Sequence, residues 1–255
     1  ASPPAATASA SARRAAIFSP RPRKAVNMRI SILIFDGFTM LDAIGGYSVL
    51  GWLPGAEVEF VAERKTVIAD DLRSGGMAAW RDYSEVETTD ILYVPGGPGV
   101  EAQLANEATL DLIRRLHEKS TWTFGVCNGV ELLAKAGILE GKTVTTNINA
   151  RADVAALGAN VVGARYHRDG KIVTTAGVSA GIDGALFLAR LIAGEDVAKT
   201  IQLGIEYYPH PPFSYASPDD VPEPIRDIIR AAEESLLFER MNATAPRFPQ
   251  PSLGE

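Results

Sequence analysis

The sequence predicts an α/β fold, a doubly wound, mostly parallel sheet sandwiched by helices. Two observations carry it. From residue 28 onward, short apolar runs alternate with segments of helical periodicity, the pattern of strands joined by crossover helices. Strands alternating with helices over this length indicate a mostly parallel sheet covered on both faces. A chain of 255 residues that is 46% hydrophobic can also bury one sizeable core.

RISILIF (29–35) reads as the first buried strand, and LDAIGGYSVLGWL (41–53) as a helix weakened by Gly45 and Gly46. VEFVAE (58–63), ILYVPGG (91–97) and TWTFGV (121–126) are further strands. Between the last two lies one helical segment in which Ala105, Ala108, Leu112, Ile113 and Leu116 recur at helical spacing. Asp169-Gly170 marks a hairpin turn. Helical patterns then cover 179–194, 196–208 and 222–241. The organisation is a leader (1–27), one domain (28–241) and a frayed tail (242–255).

The leader is rich in Ala, Ser and Pro, carries Arg13, Arg14, Arg21, Arg23 and Lys24, and has no acid. That composition reads as disordered, with a faint likeness to an organelle transit peptide. The expected compartment is cytoplasmic. No run reaches the ~18 apolar residues of a membrane span. A net charge of -6 gives no reason to expect nucleic acid or an anionic membrane as partner, so a small-molecule substrate fits better. One cysteine forms no internal disulfide, and three scattered histidines form no zinc-site spacing.

That cysteine, Cys127, stands in Gly125-Val126-Cys127-Asn128-Gly129, a G-x-C-x-G between a strand and a helix. The pattern is the thiol counterpart of the nucleophile elbow. Strand ends of this kind collect reactive groups, and the following helix N-terminus favours a thiolate. The competing reading is a small buried core residue. The flanking strand and helix favour the nucleophile. The histidines are poor candidates for its proton partner: His117, His167 and His210 read as solvated or structural rather than as bases, His210 less clearly because it could border a pocket. No H-x-E follows the cysteine, which disfavours a glutaminase triad. A carboxylate remains.

The stretches LIFDGFTMLDAIGGYSVL, ILYVPGGPGV, GVCNGVELLAKAGILEGKTVTTN, TTAGVSAGIDGALFLA and IQLGIEYYPHPPFSYASPD stand in an order that resembles the ThiJ/PfpI superfamily. Asp42, the AGID of 180–183 and the pattern of 202–213 make the isocyanide hydratase branch the most similar. The resemblance implies a flavodoxin-like, class I glutamine amidotransferase-like fold. It makes Cys127 the nucleophile and Asp42 the acid in contact with it, whereas Asp42 taken alone would read as a helix cap. It also makes Gly96 and Gly97 a turn whose amides face the reacting centre, and sets Val178 beside the thiol. Asn128 departs from the pattern, where Thr or His is usual, as do Asn147 in a Thr-Thr-His run and Gly46 in a Gly-Pro. Asn128 could hydrogen-bond a ligand but not act as a base.

The expected activity is hydration of an isocyanide to an N-substituted formamide through a thioimidate on Cys127, with no cofactor and no metal. The alternatives are glyoxalase- or deglycase-like attack on a reactive carbonyl, and a ligand- or redox-sensing module without turnover. The resemblance also implies a homodimer. Burial and a nearby thiolate should both raise the pKa of Asp42.

Overall fold

Strand β1 (Met28–Leu33) forms where the apolar run begins, and its last four residues are buried. The computed structural model describes residues 27–213 and 215–241, with side chains through residue 233. The leader up to residue 26 and the tail 242–255 lie outside the described residues.

Helix α1 (Met40–Leu50) follows β1. Next come β2 (Ala56–Ala62), a hairpin of β3 (Val67–Ala69) and β4 (Gly76–Ala78), the edge strand β5 (Arg81–Asp82) and the wholly buried β6 (Ile91–Val94). Helices α2 (Val100–Gln103) and α3 (Glu107–Lys119) lead to β7 (Trp122–Val126) and α4 (Gly129–Lys135). After β8 (Thr143–Val144), α5 (Arg151–Ala156) and β9 (Asn160–Val161) comes the hairpin of β10 (Tyr166–Asp169) and β11 (Ile172–Thr175). Helices α6 (Ala180–Ala193), α7 (Glu195–Gly204) and α8 (Glu223–Met241) close the described chain.

Seven strands make one sheet in the order β10-β11-β7-β6-β1-β2-β5, parallel throughout except for β10. Helix α1 packs on α6 and α6 on α7, while α2, α3, α4 and α5 pack together. The two groups cover the two faces of the sheet, which is the expected doubly wound sandwich. No described helix is long and apolar enough to cross a membrane.

Two local differences have physical causes. The single helical segment expected between β6 and β7 is broken at 104–106, because Asn106 acts as an N-cap and its side chain accepts from the N–H groups of Ala108 and Thr109. The two glycines of α1 do not prevent its helix. A Cβ at Gly46 would lie 2.5 Å from Tyr93 Oη, so the glycine admits a fully buried tyrosine whose hydroxyl donates to the Asp42 carbonyl. The ~1 kcal/mol that a glycine costs a helix is offset by that packing and bond.

Candidate active site

Strands β1, β6 and β7 are neighbours, so the loops that leave their carboxyl ends meet. From these loops Thr39, Gly97, Pro98, Cys127 and Asn128 form the floor of a cavity there.

Cys127 is the first residue beyond β7 and has φ of +58°, a left-handed conformation that costs a residue bearing a Cβ about 1–2 kcal/mol. Backbone bonds hold it there. Its N–H donates to the Thr175 carbonyl at 3.3 Å, and its own carbonyl accepts from Thr146 Oγ1 at 2.7 Å. The turn aims the side chain out of the strand direction and into the cavity, although the residue as a whole is only 5% exposed. A strained, pinned cysteine between strand and helix is the elbow geometry the sequence pattern implies.

Asp42, the third residue of α1, is fully buried. Its carboxylate does not cap its own helix, whose N-cap is Thr39. Oδ2 accepts instead from the Gly96 N–H at 3.2 Å, and Oδ1 is buried with no hydrogen-bond partner among the described residues. The carboxyl and the Cys127 thiol act directly on one another. Burial, reinforced by Asp71, pushes the Asp42 pKa up to about 7, against the hydrogen bonds from Cys127 and Gly96. Burial and then the Asp42 carboxyl push the Cys127 thiol well above its ordinary value, against the Asn128 backbone N–H at the start of α4.

These directions correct two expectations. The helix N-terminus does not make Cys127 a resting thiolate, because removal from water and a neighbouring acid outweigh a single amide. The sulfur does not help to raise Asp42 either: its hydrogen bond favours the carboxylate. Asp42 therefore ionises before the thiol does.

The glycine turn also differs from expectation. The Gly96 N–H serves Asp42, and the Gly97 N–H donates to Asn128 Oδ1 at 2.7 Å. Neither amide is left for a reacting centre. Asn128 Nδ2 in turn donates to the Gly97 carbonyl at 3.1 Å, so this side chain clamps one peptide from both sides. With φ of +130° and Thr39 and Gly37 backbone atoms within 2.6 Å of where its Cβ would stand, position 97 admits only glycine. Asn128 lines the cavity, but its amide is committed to holding this turn.

Val178, about a third exposed, lines the cavity in the turn before α6. Beside it, a Cβ at Gly177 would come within 3.0 Å of Cys127 Sγ. None of the three histidines lines this cavity. His117 Nδ1 is bonded to Thr123 Oγ1 at 2.8 Å, and burial with Lys171 and Lys142 lowers its pKa to about 4. The AGID and 202–213 motifs meet elsewhere: Tyr207 donates to Asp183, which also pairs with Arg165, in a second cavity.

Sequence reasoning missed Glu131. It lies one helical turn beyond Cys127, lines the cavity, and has its pKa raised to about 7 by burial first and then by Asp153 and Glu101. Its i+4 spacing from the cysteine was the available signal. Among the described residues no group of three or more His, Cys, Asp or Glu side chains is placed to hold a metal ion.

Comparison with known proteins agrees with this fold. The DJ-1/PfpI family matches residues 28–191. The chain is similar to an isonitrile hydratase of Pseudomonas putida, 36% identical over 85% of this chain and 95% of that one. A deglycase of Pyrococcus horikoshii is 28% identical over 58% of this chain and 89% of that one. The crystal structure of a ThiJ/PfpI family protein from Pseudomonas syringae superposes with a TM-score of 0.78 at 27% identity, covering 87% of this chain and 93% of that one.

Proposed function

The chain belongs to the DJ-1/PfpI family, and we propose that it hydrates an isocyanide to an N-substituted formamide, with Cys127 as nucleophile and Asp42 as proton carrier. One observation carries the reading: a buried carboxyl with a pKa near 7 touches the thiol of an elbow cysteine. A group poised near the working pH both takes and gives a proton with little penalty. The similarity to an isonitrile hydratase over most of both chains supports the substrate class.

The terminal carbon of an isocyanide accepts a nucleophile and then a proton. In the first half, the Asp42 carboxylate takes the thiol proton as sulfur bonds to that carbon, and returns it to the same carbon to give a thioimidate. In the second half, water adds to the thioimidate carbon and its protons pass, through Asp42, to the nitrogen and back to the sulfur. The carbon–sulfur bond breaks, and the formamide leaves with the thiol restored. The elevated thiol pKa suits this order, since sulfur loses its proton only as the new bond forms.

A second reading, cysteine-dependent attack on a reactive carbonyl, draws on the similarity to a deglycase and uses the same two residues. Wild-type and Cys127→Ser protein assayed with isocyanides and with methylglyoxal separate the two. Formamide release that is lost in Cys127→Ser, with an adduct of substrate mass on the wild-type chain, is the expected result. Methylglyoxal consumption without isocyanide turnover would replace the first reading with the second.

A further inference from the structure

The second half of the proposed reaction needs a hydrogen-bond donor that the glycine turn does not supply. Once water has added to the thioimidate carbon, its oxygen gains negative charge as the remaining proton leaves and the carbon–sulfur bond breaks, and a fixed donor aimed at that oxygen lowers the barrier. The Gly96 and Gly97 amides are committed to Asp42 and Asn128. The Asn128 N–H serves the sulfur itself.

Three asparagines line the cavity. Asn128 Nδ2 donates to the Gly97 carbonyl and Asn149 Nδ2 to Glu233, while Asn147 Nδ2 has no partner among the described residues. Asn147 Oδ1 accepts from the N–H groups of Asn149 at 2.9 Å and Ala150 at 3.0 Å, which fixes the amide so that its nitrogen points away from that turn. The adjoining Thr146 hydroxyl donates to the Cys127 carbonyl at 2.7 Å, so the segment that carries the amide is tied to the elbow that carries the sulfur.

Gly177 supplies an independent mark. A Cβ there would stand 3.0 Å from Cys127 Sγ, 3.3 Å from Asn147 Cβ and 3.7 Å from Asn147 Nδ2. Sulfur and amide nitrogen thus border the same small space, and the lack of a side chain at 177 keeps it open. An oxygen on the carbon bonded to that sulfur would lie between them.

We propose that Asn147 is a further catalytic residue, whose Nδ2–H donates to the oxygen of the tetrahedral adduct as that adduct collapses to the formamide. The role rests on the hydratase reading and assigns the donor that its second half requires. In the collapse the hydroxyl proton passes through Asp42 to the sulfur, the electrons of that O–H bond form the carbonyl, and the carbon–sulfur pair returns to Cys127. Asn147 gives up no proton.

Two variants test it in the full chain. Asn147→Asp keeps the oxygen that caps the two N–H groups and removes the donor, and Asn147→Ser keeps a cap without adding charge. In each, kcat for isocyanide hydration should fall about a hundred-fold, while kcat/KM, set by thioimidate formation, should stay within about threefold of wild type. KM should fall with kcat. Intact mass during turnover should show most of the chain carrying the substrate, because the adduct forms normally and leaves slowly. Should Asn147→Asp not fold, Asn147→Ser alone reads the split.

Equal losses in kcat and kcat/KM with no adduct would make Asn147 a mere support of its loop and overturn the role. A wild-type kcat in both variants would also overturn it, passing the oxygen to a backbone amide. Wild-type protein assayed beside them separates the two readings. No hydration by wild type removes the hydratase reading and the role with it, whereas hydration without the kcat split removes the role alone.

Discussion

Asp42, sealed beneath the cavity floor, and Glu131 on its wall both have a pKa pushed up to about 7 by burial first, yet their surroundings differ. Asp42 is sealed by the fold: glycines, a buried tyrosine and the cysteine leave it no water, and its position follows from three adjacent strand ends. Glu131 is only partly buried, and neighbouring acids from other helices add to its shift. The floor is a property of the backbone and the wall a property of side chains. The first should resist substitution around it, and the second should be tuned by it.

The comparison breaks most decisively at Asp42. Asp42→Asn should cut turnover on the order of a hundred-fold or more with little change in KM, because a proton carrier is lost while the shape is kept. The same variant should be more stable than wild type at pH 8. Between about 3.8 and 7 the unfolded chain has released a proton that the folded one retains, so wild-type stability falls as pH rises through that window, and the amide does not titrate. Urea denaturation at pH 5 and pH 8 reads this, and equal pH slopes for the two proteins would mean that the floor is wet.

Asn128→Ala comes next. It removes both bonds to the Gly97 peptide and leaves a buried turn unsupported, at a cost of about 1–3 kcal/mol in urea unfolding. A neutral result would show that the glycine turn holds itself.

The smallest effect is expected on the wall. Glu131→Gln should remove a loss of stability that accrues as pH rises from about 4.5 to 7. Screening by solvent at this partly exposed site limits it to less than about 1 kcal/mol. Melting temperatures at pH 5 and pH 8 would show it, and a change as large as that of Asp42→Asn would erase the distinction between floor and wall.

The same division explains what was legible in the sequence. Cys127 and Asp42 lie in local patterns, an elbow pentapeptide and the start of the helix after the first strand, so their positions could be read from the chain. Strands β1, β2, β6 and β7 were legible as apolar runs. Strands β5, β8 and β9 were not, since two residues in each leave no periodicity to read. The clamp by Asn128 stayed hidden because its partner is 31 residues away, and asparagine after the cysteine reads equally as a ligand contact. The acidic wall stayed hidden because α2, α4 and α5 carry one unremarkable acid each. Only packing makes them neighbours.

The order of the central strands has one more consequence. Asp42 follows β1, Cys127 follows β7, and β6 between them supplies the Gly96 amide that fixes the carboxylate. The sheet therefore acts as a ruler: acid and sulfur stand two inter-strand steps of about 4.8 Å apart at their backbones, a gap set by peptide hydrogen bonding. Side chains close the remainder. Insertions in the outer loops, or drift in the residues of the cavity wall, leave that graduation unaltered, so pockets of very different chemistry could be mounted on the same reactive pair.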